Sequence, residues 1–338
     1  MDLEKLIFEL CSASGVSGSE MSAADVVRKN LPSCAECFDD ANGNLFAVLG
    51  NNEAGKTILL DAHLDRIGLM ITDINDDGFV SVDKVGGVDA RVLQDCVLTT
   101  ANGLKGTVCC LPPHLTDGKE DKATPLSKTW VDFGLPADEV RAMLCVGDTL
   151  TFAAQPKRLL GDKITSPALD DRCGVAALLR AAELIDTDKY RVVLMFSSQE
   201  ETYGTGAKTG AFSIDADEAI AVDVSFASQP DVSGQYGKIE LGKGPMICLS
   251  PVLNRAMSKK LISLAAENGI PYQLEPISGA TGTNGDHIAV TKCGVKTAVI
   301  SVPQRYMHTP DEVIALADVE NTARLIADYI NCGGAFDD

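Results

Sequence analysis

The sequence predicts an α/β fold, a mainly parallel sheet flanked by helices, with a small all-β barrel domain inserted into it. Three observations carry that expectation. Ile58-Leu59-Leu60 is an apolar run suited to a strand buried on both faces, and it stops at His63 and Asp65. From residue 67 to about 157, short β-type runs recur between turn signals, the texture of a small barrel or sandwich. From Leu159 onward strands alternate with helices, as an open and mainly parallel sheet requires. The expected organisation is therefore an α/β domain over residues 1–66 and 158–338, interrupted by a β domain over 67–157.

The elements follow in order. Leu3, Leu6, Ile7 and Leu10 place one apolar face on an N-terminal helix, and Gly15, Ser17 and Gly18 separate it from a second helix over Met21–Leu31. Asn42-Gly43 marks a hairpin turn before the apolar run Leu45–Leu49. Leu69–Thr72, Phe79–Val82, Cys96–Thr99 and Thr107–Cys110 are the short strands of the inserted domain, and polar His114–Lys128 is an exposed loop. Val175, Leu178, Leu179 and Ala182 have helical spacing after Asp170-Asp171. Strands follow at Arg191–Phe196, Ala219–Val224 and Thr297–Val302, with helices at Val252–Asn268 and Val319–Tyr329.

Composition narrows the function. Hydrophobic content of 45% and charged content of 23% are those of an ordinary globular protein, and no apolar run approaches the ~20 residues of a membrane span. The 29 basic and 48 acidic residues give a formal charge of -19, which disfavours nucleic acid or an anionic membrane as partner. The eleven cysteines are scattered, and Cys34-x-x-Cys37 has no second pair at zinc-finger spacing. The N-terminus carries acids within its apolar pattern, unlike a secretory signal, so reduced thiols and a cytoplasmic location are expected.

The chemistry gathers at element ends. His63 and Asp65 alternate, so they point to one side; alone they fit a metal ligand and its partner carboxylate, or an ordinary polar turn. Glu200 and Glu201, Asp223, His308 and Asp170 stand at the ends of other strands or the start of a helix, where such sheets open onto one cleft. Three carboxylates (Asp170, Glu201, Asp223) and two imidazoles (His63, His308) suit two divalent cations, zinc first, with cobalt or manganese also compatible. Asp170 has two oxygens and could bridge the pair, and Glu200 is then free to take a proton from water.

The chain resembles the tetrahedral aminopeptidases, the di-metal family that includes glutamyl and deblocking aminopeptidases. The matching pieces are A-H-L-D at 62–65, A-L-D-D-R at 168–172, E-E at 200–201, V-D-V at 222–224 and R-Y-M-H-T-P at 305–310. G-V-S-G-S-E at 15–20, V-G-G at 85–87, P-P-H at 112–114 and V-G-D at 146–148 also fit, in family order along nearly the whole chain. The resemblance implies a di-zinc exopeptidase-like fold in which His63, Asp170 and Asp223 hold one metal, and Asp170, Glu201 and His308 the other. It implies Glu200 as general base and acid toward an attacking water held between the cations, with Asp65 orienting His63. It further implies removal of N-terminal residues from short peptides, and an inserted β domain that helps build a homo-oligomer, often a dodecameric tetrahedral shell.

Three positions depart from that family's pattern. Arg66 stands where Glu is usual, Asn284 where Asp is usual, and Tyr203 where Gly is usual. Either these are neutral changes, or the loss of negative character turns the enzyme toward acidic or N-blocked substrates, or weakens it. His114 and His287 are expected to be surface or core hydrogen-bonding residues. The glycines of 234–244 lack a dinucleotide-binding context, and Ser197 and Ser198 lack a nucleophile elbow. N-deacylation on the same metal pair, or a weakly active metal-stabilised assembly protein, are the alternatives. A glycosidase would need uncommitted carboxylates.

Overall fold

A computed structural model describes residues 1–50, 53–115, 123–186, 189–230 and 238–335. Part of the expected 114–128 loop, and residues 234–237 of the glycine-rich stretch, lie outside these. The chain opens with α1 (Leu3–Ser12), whose first turn is capped by the Asp2 carboxylate accepting from the Lys5 N–H, and α2 (Met21–Asn30). Leu6, Ile7 and Leu10 bury the face of α1 that their spacing marks. A hairpin of β1 (Glu36–Asp39) and β2 (Leu45–Gly50) leads to β3 (Thr57–His63), all seven residues of which are buried.

Then come β4 (Gly68–Ile74), β5 (Val80–Val85), β6 (Val97–Thr100), β7 (Lys105–Val108), β8 (Trp130–Asp132), the short α3 (Ala137–Met143) and β9 (Thr149–Phe152). The six strands close into an antiparallel barrel in the order β4-β5-β8-β7-β6-β9. Of the barrel and sandwich expected for this stretch, the barrel is what forms. Closure leaves no exposed strand edge, and the interior fills with Leu69, Ile71, Val80, Val82, Leu98, Val131 and Leu150.

Short strands β10 (Lys157–Arg158) and β11 (Lys163–Ser166) return the chain to α4 (Leu169–Leu184), β12 (Arg191–Ser197), α5 (Thr205–Ile214), β13 (Glu218–Phe226) and β14 (Met246–Leu249). After these come α6 (Arg255–Glu267), β15 (Gln273–Pro276), α7 (Asn284–Ala289), β16 (Lys296–Gln304), β17 (Glu312–Ala315) and α8 (Leu316–Asn331). The main sheet has the order β1-β2-β12-β3-β13-β16-β14-β15. Its central strands β12, β3, β13 and β16 are mutually parallel, while β2 and β14 join antiparallel on either side. Helices cover both faces, so the central strands are mainly apolar, and α4 is buried almost end to end. The expected helices stand, and α3, α5 and α7 are additional. Among the described residues no helix is long and apolar enough to cross a membrane.

Candidate metal centre

Parallel pairing sends β3, β12, β13 and β16 out of the sheet in one direction, so their carboxyl ends open together. His63 is the last residue of β3, Glu200 and Glu201 follow β12 by a short turn, and His308 lies four residues beyond β16. Asp223 sits inside β13, not at its end; β3 pairs with β13 only as far as Ala221, so the Asp223 carboxylate clears its neighbour on that side. Asp170 is in the first turn of α4 with non-helical angles, on the amino side of a cis peptide to Asp171.

These side chains form two groups sharing one member. In each of the sets His63, Asp170, Asp223 and Asp170, Glu201, His308, one potential ligand atom per residue lies within 4.8 Å of the others. His63 Nε2 is 3.1 Å from Asp170 Oδ1 and 3.9 Å from Asp223 Oδ1. His308 Nε2 is 3.2 Å from Asp170 Oδ2 and 3.3 Å from Glu201 Oε2. Asp170 thus turns one oxygen to each imidazole, the arrangement a bridging carboxylate needs. Among the described residues, the buried Glu201 Oε1 atom has no hydrogen-bond partner. Neutral nitrogen, carboxylate oxygen and a spare buried acceptor fit a divalent cation in each group.

Asp65 does more than the sequence reading gave it. His63 Nδ1 lies 3.1 Å from the Asp65 carbonyl oxygen and 3.5 Å from its Oδ1. A proton on Nδ1 given to that carbonyl leaves the Nε2 lone pair facing Asp170 and Asp223. The Asp65 carboxylate also accepts the Glu200 N–H at 2.9 Å, the Glu201 N–H at 3.1 Å and the Ser17 hydroxyl at 2.5 Å. One buried side chain therefore sets the turn that carries both glutamates. Asn44 steadies the same turn, accepting the Ser198 N–H at 2.9 Å and donating to the Gly206 carbonyl at 3.0 Å.

Sequence reasoning missed Glu312. Buried on β17, it accepts the backbone N–H of Asp170 at 3.2 Å and of His308 at 2.8 Å, fixing two members of the centre. Its place four residues after His308, behind Thr309-Pro310, was the available signal. The barrel reaches the centre as well. A Cβ on Gly87 would lie 2.5 Å from His308 Nδ1, and one on Gly86, whose φ is +77°, would meet Glu201 at 3.3 Å. The expected V-G-G motif is this close approach.

Electrostatics mark the same place. Burial pulls His63 down, but its hydrogen bonds to Asp170 and Asp65 outweigh this and hold it well above the usual imidazole range. His308 is pushed up to about 11, burial being outweighed by its bonds to Asp170 and Glu201. Burial would raise Asp170, yet the two imidazoles hold it below the usual carboxylate range. Burial raises Glu200 to about 7 despite the attraction of His63, and raises Glu201 and Asp223 as well. So many like-charged buried groups in contact call for cationic compensation.

Residues 43–325 match the M42 glutamyl aminopeptidase family. The chain belongs to that family. It is 33% identical to the lysyl aminopeptidase of Pyrococcus furiosus, over 95% of this chain and 94% of the relative. Its fold is similar to that of aminopeptidase APDkam598 from the archaeon Desulfurococcus kamchatkensis, with a TM-score of 0.91, 35% identity, and 98% and 95% of the two chains covered. It is similar also to the TET1 peptidase of Pyrococcus horikoshii, at a TM-score of 0.86 and 30% identity, covering 99% of this chain and 100% of that one. That protein can assemble into a tetrahedron or a large octahedral shell. M42 proteins are metal-dependent aminopeptidases, so this chain is a peptidase hydrolase.

The three departures fall away from the cleft of this M42 chain. Arg66 is buried behind the centre, where its guanidinium donates to the Cys11 carbonyl at 3.4 Å, and it does not line the cavity beside the metal groups. Asn284 is buried under the sheet, donating to Asp61 at 2.9 Å and to the Ser197 hydroxyl at 2.9 Å. Tyr203 is exposed, with Lys208 over its ring. A charge effect on substrate through Arg66 and Asn284 therefore has no direct contact to act through. His114 is exposed, and half-buried His287 packs against Gly204, where a Cβ would meet its ring at 2.3 Å.

Proposed function

We propose that the protein is a di-metal aminopeptidase that removes N-terminal residues from short peptides, with Glu200 as general base and acid. The observation that carries this reading is Asp170, whose two oxygens face His63 and His308 separately. His63, Asp170 and Asp223 would hold one cation, and Asp170, Glu201 and His308 the other; zinc, cobalt and manganese all suit these ligands. Divalent cations bound there supply Lewis acidity, lowering the pKa of a water to roughly 7 and polarising a carbonyl.

The chain's own residues do the rest. Glu200 belongs to neither group but lines the same cavity, so its carboxylate accepts the proton of the attacking water and passes it to the leaving amine. Burial raises the pKa of Glu200, which favours its taking up the proton. Asp65 keeps His63 in one orientation and, through the Glu200 and Glu201 N–H groups, keeps base and ligand in register.

The wider reading is a cytoplasmic homo-oligomer whose inserted domain, residues 67–157, joins subunits. Eleven unpaired cysteines favour the reducing compartment, and the similar TET1 structure that is a dodecamer favours a shell of twelve. Native mass spectrometry of the full chain and of a barrel-surface variant checks the assembly. For the chemistry, Glu200→Gln is expected to keep its metal and lose turnover; loss of metal together with activity would place Glu200 among the ligands instead.

A further inference from the structure

The cavity beside the metal groups, about 230 Å³, is lined by Asp170, Glu200, Glu201, Asp223 and His308, and also by Glu275, a carboxylate that the mechanism does not use. Glu275 lies on β15 and is 2% exposed. Its Oε1 accepts the Ser225 hydroxyl, and its Oε2 accepts the Ser301 hydroxyl at 3.2 Å. A carboxylate offers about four lone-pair positions, so capacity remains after these two bonds. Among the described residues no Lys or Arg lines the cavity.

A buried carboxylate without a cationic partner is costly, and burial does raise this one. Shape alone would be met by Gln or an aliphatic residue. Ile277, Val299 and Met307 give the same cavity apolar walls. Ser225 follows Asp223 by two residues on β13 and so shares its face of the sheet, about 7 Å farther along. That separation is comparable with the extended four-carbon stem of lysine.

We propose that Glu275, held by Ser225 and Ser301, selects substrates whose N-terminal residue carries a cationic side chain, lysine or arginine. The apolar walls take the methylenes and Glu275 takes the charged head. The proposal rests on the aminopeptidase reading, and it replaces the preference for acidic or blocked substrates that Arg66 and Asn284 raised.

The test uses the metal-loaded full chain and its Glu275→Gln and Glu275→Asp variants. Turnover is measured on Lys, Arg, norleucine, Leu and Glu p-nitroanilides, and calorimetry measures the binding of free L-lysine and L-norleucine. Charged hydrogen bonds set the expected Lys-to-norleucine ratio of kcat/KM at about 10- to 100-fold, falling toward one in Glu275→Gln and partly kept in Glu275→Asp. Taken within one preparation, the ratio is independent of the folded fraction. Free lysine should bind more tightly than norleucine only where residue 275 is acidic. A wild-type preference for Leu, norleucine or Glu, or a ratio that Glu275→Gln leaves unmoved, overturns the proposal. Should no amide be cleaved while the lysine preference in binding still follows Glu275, the aminopeptidase reading fails and the pocket assignment stands.

Discussion

Around the open end of the main sheet the protein buries Asp61, His63, Asp65, Asp170, Asp171 and Asp223, with Arg66 and Arg172 behind them; the barrel, among its described residues, buries no charged group and only Thr100, Thr129 and Thr151 as polar ones. The barrel is held by apolar area, which asks nothing of solvent ions. At the sheet end, carboxylates crowd one another and burial raises Asp61, Glu200 and Glu312, so that region's stability is tied to whatever supplies positive charge. One chain thus contains a part that folds by packing and a part that folds around its chemistry.

The largest expected effect separates chemistry from packing. Glu200→Gln should lower kcat/KM by about 10²–10⁴-fold, the usual contribution of a general base, with metal content and melting temperature near wild type. Leu150→Ala, deep in the barrel core, should do the reverse: a loss of about 2–5 kcal/mol in denaturant unfolding, with metal content unchanged. If that substitution also empties the metal groups, the two regions are coupled more strongly than their cores indicate.

Chelation should act on the sheet end alone. Withdrawing a cation present at 100 times its dissociation constant costs about 2.7 kcal/mol, and hydrogen exchange should show the loss in β3, β13 and α4 before the barrel strands. The chelated protein should also depend on pH. Asp61, Glu200 and Glu312 rise from 3.8, 4.5 and 4.5 to about 6, 7 and 8 on folding. Raised carboxylates stabilise fully below their unfolded values and lose that contribution as pH climbs through the folded ones. His63 and His308, raised too, act in the same direction. Melting temperature of the chelated form should therefore fall between about pH 4 and 8, and reloading metal should flatten the curve. The smallest effect is expected at the seam: Gly87→Ala must displace His308, so metal affinity should drop while the barrel's own unfolding is unaltered.

Much of the candidate metal centre was legible because its residues sit where strands stop. His63, Glu200, Glu201 and His308 end apolar runs, and a run that stops in ligand types is visible in sequence. The barrel was legible from turn spacing, as a small closed or sandwiched β unit. Asp223 was legible only as a carboxylate in a V-D-V run; that it clears β3 depends on register, which no local pattern carries. Glu275 was invisible for a related reason, since it works through the Ser225 and Ser301 hydroxyls, 50 and 26 residues away; Glu312 gave only its closeness to His308 as a signal, and its bond to the Asp170 N–H spans 142 residues. Arg66 stands three positions after His63, yet its N–H bonds to the Gly15 carbonyl at 3.0 Å and its guanidinium reaches the Cys11 carbonyl behind the centre, which no local pattern shows.

The most direct measurement is anomalous diffraction from crystals of the zinc-loaded protein. The expected map has two peaks per chain roughly 3.5–4 Å apart, with Asp170 between them and Glu200 touching neither. A single peak, or two peaks that Asp170 does not join, would contradict the two-metal account.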